Sequence, residues 1–237
     1  MTVDFAPQII ARINSPFKEK FGIPRQSGLV DMSARVEMLP PFDDPQMFHG
    51  LDSFSHIWLT FLFHGCMEQG WHKRVRPPRL GGNQSMGVFA TRAPYRPNHI
   101  GLSAVQLVEV DISTGGVCLE VIGADLLDDT PIIDIKPYIP YADALPQASG
   151  GFASEAPKPV LAVEFSPSVA EELQQMSSGQ ALHRAIEQLI ALDPRPAYQS
   201  RSDDSSRIYG MRLDNHNICW RVEKGVVTVL GIDKISQ

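Results

Sequence analysis

Over the first 142 residues, apolar positions fall in short runs cut by proline, glycine and aspartate, the pattern of strands and turns. Ile9-Ile-Ala-Arg-Ile13 predicts a strand that stops at Asn14-Ser15-Pro16, and residues 29–39 alternate in part and predict a second. Phe54-Ser-His-Ile-Trp-Leu-Thr-Phe-Leu-Phe63 is strongly apolar, rich in aromatics and bounded by loops, so it predicts a central strand. Val88-Phe-Ala90 predicts a short buried strand, followed by strands over 104–111, 117–122 and 131–138. Gly115-Gly116 predicts a hairpin turn between two of these. Only residues 44–50 predict a short helix, with Asp43 or Asp44 as its cap. Many strands and few helices point to a β-barrel or a strongly curved sheet.

The pattern then changes. Residues 146–159 are small, polar and bounded by prolines, with almost nothing to bury, and predict a linker. The chain therefore divides into a mainly β domain at 1–145, a linker at 146–159 and a small α+β domain at 160–237. In the last, residues 160–165 predict a strand and Ser166-Pro167 a helix start. Leu182, Ile186, Leu189 and Ile190 have the spacing of one helix face. Three strands follow at 208–213, 218–222 and 226–232, turning at 214–217 and at Lys224-Gly225. This order resembles RelE-type ribonuclease toxins at the level of fold alone.

Composition narrows the classes. The chain is 43% hydrophobic with no run of about eighteen apolar residues, so no transmembrane helix is expected. The start, Met1-Thr-Val-Asp-Phe-Ala-Pro, lacks the basic and apolar parts of a secretory signal. Cys66, Cys118 and Cys219 are odd in number and far apart, fitting reduced thiols in the cytoplasm better than disulfides or zinc. A net charge of −6 argues against a protein that coats nucleic acid non-specifically. Yet residues 69–108 contain no acid, while Lys73, Arg74, Arg76, Arg79, Arg92 and Arg96 all fall there. Such a stretch either forms a cationic face for a phosphate-bearing partner or is paired with acids from elsewhere in the fold.

Candidate chemistry concentrates at Gly87-Val-Phe-Ala-Thr-Arg-Ala-Pro-Tyr-Arg-Pro-Asn-His-Ile-Gly-Leu-Ser103. Pro94 and Pro97 stiffen a loop that carries Arg92, Arg96, Asn98 and His99, a rigid turn suited to an anionic or planar polar ligand. Asp125, Asp128, Asp129 and Asp134 lie on a strand–turn–strand unit further on. Asp128-Asp129-Thr130-Pro131 is turn chemistry. Asp134 interrupts an apolar strand, where it needs a partner such as Arg92 or Lys136, or a role at a ligand. No Gly-x-Gly-x-x-Gly or phosphate-loop motif is present, so a doubly wound nucleotide fold is unsupported. The histidines show no metal-ligand spacing; His56 and His64 fall eight apart, on one strand face if the chain is extended, and no metal is expected.

Five motifs in order carry a resemblance. They are Phe21-Gly-Ile-Pro-Arg-Gln-Ser-Gly-Leu-Val30, Gly50-Leu-Asp-Ser-Phe-Ser-His-Ile-Trp58, Val75-Arg-Pro-Pro-Arg-Leu-Gly-Gly82, the arginine loop, and Asp134-Ile-Lys-Pro-Tyr-Ile-Pro-Tyr141. With Asp193-Pro-Arg-Pro-Ala-Tyr198 they make the chain similar to the tRNA N6-threonylcarbamoyladenosine methyltransferase family in its bacterial two-domain form. The resemblance implies a single-sheet β-barrel that binds S-adenosylmethionine without a Rossmann fold and works as a homodimer in the cytoplasm. The implied reaction methylates N6 of threonylcarbamoyladenosine beside the anticodon of threonine tRNAs. The implied donor pocket draws on Ser27, Gly28, Leu29, His64, Gly65, Arg92, Leu102, Ile122, Gly123, Ala124 and Asp125. The family's loop often has proline where this chain has His99.

The residues agree with such a pocket. Glycine-marked turns let backbone approach a flat adenine, Arg92 can hold a carboxylate bidentately, and Asp125 suits a ribose diol or an amino group. Methyl transfer at a sulfonium needs positioning above all, plus an acceptor for the N–H proton, for which Asp134 and Tyr141 are the candidates. Lys73, Arg74, Arg76, Arg79, Arg96 and Arg195 would meet tRNA phosphates, and Tyr95 would stack on a base. Two other classes stay open. One is a non-catalytic RNA-binding protein using Arg195, Arg201 and Arg207; the other is a metal-dependent hydrolase using the histidines.

Overall fold

The computed structural model describes residues 6–113, 115–195 and 206–235. Strands β1 (Ala11–Asn14), β2 (Ser33–Met38), β3 (His56–Leu62), β6 (Ile100–Ser113), β7 (Gly116–Ile122) and β8 (Thr130–Pro137) close into a barrel. Its order is β1-β2-β7-β6-β3-β8, and every neighbouring pair is antiparallel. A two-stranded hairpin, β4 (Arg74–Val75) with β5 (Met86–Gly87), stands apart from it.

Closure follows from period-two patterning. Ala34, Val36 and Met38 of β2, Ile57, Leu59 and Phe61 of β3, and Val117, Leu119 and Val121 of β7 are all buried, and they meet in one core. Each of these side chains larger than alanine contributes about 1.5–3 kcal/mol by leaving water. The cap of the 3₁₀ turn Pro45–Phe48 is Asp44, whose carboxylate accepts from the Gln46 amide at 2.9 Å.

The expected strand at Val88-Phe-Ala90 does not form. Val88–Ala90 is a 3₁₀ turn, because Thr91 turns back to donate its amide to the Val88 carbonyl at 3.1 Å. Val88 is buried while Phe89 is 77% exposed.

After the one-turn helix α1 (Pro140–Asp143) comes a second unit. Strands β9 (Ala162–Phe165), β10 (Ile208–Leu213), β11 (His216–Glu223) and β12 (Val226–Lys234) form a sheet in the order β10-β11-β12-β9. Helices α2 (Pro167–Gln175) and α3 (Gly179–Ala191) complete its core around Trp220 and Ile186. Ser166 caps α2 by accepting from the Val169 amide. Phe17 and Val30, from the loop between β1 and β2, also sit in this second core, and Phe17 bridges to Leu213. That loop is thus held between the two units. No helix among the described residues is long and apolar enough to cross a membrane.

Candidate active site

Antiparallel closure brings the end of β1, the end of β3, the start of β6, the end of β7 and the start of β8 to one rim of the barrel. A cavity of about 630 Å³ opens there, within the range of small-molecule sites. The loop after β1 supplies Lys20, Arg25 and Gln26, and the turn after β3 supplies Phe63, His64, Gly65 and Cys66. The arginine loop supplies Arg92, Tyr95 and Arg96, and the β7–β8 connection supplies Asp125. Phe61 and Phe63, edge to face at 5.1 Å between centroids, form an aromatic wall with Trp58, Ile100 and Leu102 nearby. Gly101 exists for Phe61: a Cβ there would lie 2.4 Å from its ring.

Asp125 is the one acid among the described lining residues. Half-buried on the pocket wall, it accepts from the Ser103 hydroxyl at 2.6 Å and from the Ser27 amide. Loss of water raises its pKa above the ordinary carboxylate value, with Ser103, Arg92 and Ser27 opposing the rise. Arg92 reaches across the pocket to Gln26, its Nη1 donating to Oε1 at 2.6 Å. A cation and a carboxylate that sense each other across an apolar-walled cavity make a zwitterion receptor.

His64 is held against Thr130, with Nδ1 3.3 Å from the threonine hydroxyl. That hydroxyl gives its proton to the Leu127 carbonyl at 2.6 Å, and the Leu62 backbone also hydrogen-bonds the ring. Burial lowers the His64 pKa below 6.5, the nearby Asp129 charge opposing, and the ring is neutral at pH 7.

The structure gathers His64, Gly65, Arg92, Leu102 and Asp125 of the expected donor set at this cavity. Ser27, Gly28, Leu29, Ile122, Gly123 and Ala124 stand behind it instead. Gly28 donates its amide to the Gly123 carbonyl at 2.9 Å, and a Cβ on Gly123 would come within 3.2 Å of the Gly28 backbone. Leu29 packs on the second core and Ala124 lies in the barrel core. These residues knit a seam that aims the Ser27 amide at Asp125.

The acceptor candidates lie outside the cavity of one chain. Asp134 is on β8 facing away from the barrel, paired with Lys136, one of the two partners anticipated for it. Tyr141 is 90% exposed on α1. That helix is docked by Asp143, which accepts from the Trp58 indole at 3.1 Å and from the Ile139 amide at 2.8 Å.

Among the expected RNA contacts, Tyr95 and Arg96 line the cavity. One face of Tyr95 is stacked on His72, with centroids 4.8 Å apart. Arg96 braces the loop, Nη1 donating to the carbonyls of Thr91 at 2.7 Å and Val88 at 3.2 Å. Lys73, Arg74, Arg76 and Arg79 lie on or beside the β4–β5 hairpin, where Arg74 binds Ser85 and Arg79 the Glu155 carbonyl. Arg195 lies inside the fold. It is 7% exposed, fork-bonded to Asp193 at 2.7 and 2.9 Å and set over the Tyr209 ring, so its charge is spent inside the fold. Arg207 also lies over Tyr209, at 5.2 Å. Arg201 and residues 196–198 of the C-terminal motif lie outside the described residues.

His99 has φ +50°, which a proline ring cannot adopt, and its Nδ1 lies 3.2 Å from the Pro94 carbonyl. It closes the loop rather than facing the cavity. His56 and His64 do not share a strand face, because the chain leaves β3 at Leu62 and His64 begins a 3₁₀ turn. Sequence reading missed Lys20, Gln26, Phe61, Ser103 and Thr130 as pocket residues. Ser103 had a signal, since it shares the inward face of β6 with Gly101 and Val105.

Fold and site together define a class: a closed β-barrel whose rim loops build a pocket of cations, one carboxylate and an aromatic wall, with no doubly wound sheet among the described residues. Residues 12–144 match the tRNA-methyltransferase O N-terminal domain, and residues 158–235 the TrmO C-terminal domain. The chain belongs to the tRNA-methyltransferase O family. It is 42% identical to the tRNA (adenine(37)-N6)-methyltransferase of Escherichia coli (strain K12), over 94% of this chain and 96% of that protein. It is 48% identical to RcsF of Pseudomonas aeruginosa, named as an S-adenosylmethionine-dependent methyltransferase, over 93% of each. A crystal structure of TrmO from Pseudomonas aeruginosa aligns with a TM-score of 0.78 at 38% identity, covering 99% of both chains.

Proposed function

We propose that this protein transfers a methyl group from S-adenosylmethionine to N6 of threonylcarbamoyladenosine at position 37 of threonine tRNAs, working as a cytoplasmic homodimer. The observation that carries the donor assignment is the Arg92–Asp125 arrangement on an apolar-walled cavity of about 630 Å³. The donor combines a carboxylate, an ammonium, a ribose diol and a flat adenine, and the lining offers cations, one carboxylate and apolar surface to meet them. Arg92 would hold the carboxylate, with Gln26 fixing its guanidinium. Asp125, pre-set by Ser103 and Ser27, would accept from the diol or the amine. The Phe61–Phe63 wall and Leu102 would cover apolar surface. When bound, the donor supplies an electrophilic methyl on sulfur.

The chain's own work is to align that methyl with N6 and to take one proton. Alignment by rigid elements supplies most of the rate in such a displacement. His64, neutral and lining the cavity, is a candidate for the N6 proton ahead of Asp134, which is committed to Lys136. Tyr141 and the outward face of β6, where Leu102 is 54% exposed, form the surface that a second copy would cover.

Calorimetric titration of the full chain with S-adenosylmethionine tests the donor site. Saturable heat is expected, and Arg92→Ala should weaken affinity by about tenfold or more, the cost of one charge-assisted contact. Unchanged affinity in that variant moves the donor elsewhere; no heat from a folded sample rejects the donor altogether. A non-catalytic RNA-binding protein would bind tRNA without regard to the donor.

A further inference from the structure

Phe89 is the most exposed phenylalanine among the described residues, 77% accessible, yet it stands on a rigid element. The Val88–Ala90 turn is closed by the Thr91 amide and hydroxyl, both donating to the Val88 carbonyl, at 3.1 and 2.9 Å. Arg96 donates to the same carbonyl and to that of Thr91, and its guanidinium lies 5.7 Å from the Phe89 ring centroid. On the other side the Val88 amide donates to the Lys73 carbonyl, which ties the turn to the β4–β5 hairpin. The ring is therefore presented to solvent by a braced scaffold and, the Arg96 guanidinium apart, leaves most of its surface uncovered.

Its surroundings say what it receives. The turn runs directly into Thr91, Arg92, Tyr95 and Arg96 of the cavity lining. It also lies in the 40-residue stretch, 69–108, that has no acid and carries Lys73, Arg74 and Arg76 beside it on the hairpin. Trp71, 54% exposed, opens that hairpin. Exposed aromatic surface within a cationic field is the arrangement that holds single-stranded nucleic acid: rings stack bases while cations track the backbone. A protein partner of ordinary composition would bring acids and aliphatics, for which an isolated ring on a turn offers no pocket.

We propose that Phe89 is a stacking platform for an unpaired base next to the methylated nucleotide. The proposal rests on the tRNA methyltransferase reading above. An enzyme that works on a base draws it out of its stack to reach the cavity, and the neighbouring base then lacks a stacking partner. Phe89, one braced turn from the cavity, replaces that partner and holds the loop open. Arg96 lies over the same ring and keeps the platform in register with the mouth of the pocket.

Steady-state kinetics of the full chain on tRNA, with Phe89→Ala, Phe89→Leu and Phe89→Tyr, test this. Because the side chain is exposed, all three should fold, and a thermal melt checks that they do. Phe89→Ala and Phe89→Leu should raise KM for tRNA by about tenfold or more, the worth of one stacked base, while S-adenosylmethionine affinity stays within twofold. Phe89→Tyr should behave as wild type. The proposal is overturned if Phe89→Ala keeps the wild-type KM. It is equally overturned if Phe89→Leu rescues as well as tyrosine, or if the loss follows a change in oligomeric state seen by sedimentation. Should the wild-type chain transfer no methyl to tRNA at all, the reading of the site fails first, and that result is distinct from any effect at Phe89.

Discussion

At the scale of single residues, the site is a set of groups held against their own preferences. Asp125 sits where loss of water disfavours its charge, and Ser103, Arg92 and Ser27 restore only part of what is lost. Its native pKa is therefore raised above 3.8, so the native state binds that proton more tightly than the unfolded chain. This contribution to stability is fully present below 3.8 and is lost as pH rises through the raised native value. Asp125→Asn should thus melt at or above the wild-type temperature at about pH 7, with the advantage shrinking towards about pH 4. The same variant should bind S-adenosylmethionine at least about tenfold more weakly, because a carboxylate acceptor is lost. Parallel melts and titrations check both; a variant that loses stability and keeps affinity would make Asp125 a purely structural residue. His64 carries the opposite sign. Its lowered pKa keeps the ring neutral as pH falls through 6.5, so the stability it contributes is present above 6.5 and fades below.

At the scale of elements, much of the barrel was legible because its strands alternate. Ile57, Leu59 and Phe61 announce β3, Val117, Leu119 and Val121 announce β7, and Leu182, Ile186 and Leu189 announce α3. What was not legible depends on contacts distant in sequence. Val88-Phe89-Ala90 has strand composition, but only a two-residue partner, Arg74–Val75, lies beside its start, so the chain curls instead. Phe17 and Val30 give no local sign that they belong to the second core, and nothing in 160–165 tells that β9 joins β12 in parallel. Of the site, the arginine loop was readable from residue chemistry and Asp125 through the family resemblance, whereas Lys20, Gln26 and Thr130 arrive only when the barrel closes. Arg195 is the reverse case: an arginine in a proline-rich segment suits RNA by composition, yet its side chain bridges Asp193 and Tyr209 just after α3. Arg195→Ala should cost about 1–3 kcal/mol by stranding a partly buried carboxylate. A denaturant melt checks the loss, and tRNA affinity of the folded fraction should be unchanged; a loss of affinity without loss of stability would return Arg195 to the RNA surface.

At the scale of the molecule, one loop joins three tasks. Residues 87–103 brace themselves through Arg96, His99 and Thr91, send Arg92 into the cavity, and hold Phe89 out on a cationic face. The barrel makes this possible by bringing its rim segments to one end, and the second unit fixes the β1–β2 loop that faces Arg92. The central claim is that this rim joins a methyl donor to a modified adenosine in tRNA. The most direct measurement is transfer of labelled methyl from S-adenosylmethionine to threonine tRNA that carries or lacks the threonylcarbamoyl group, followed by mass spectrometry of the nucleosides. The account predicts label on N6 of threonylcarbamoyladenosine and none on the unmodified tRNA. Equal labelling of both, or label on any other nucleoside, would contradict it.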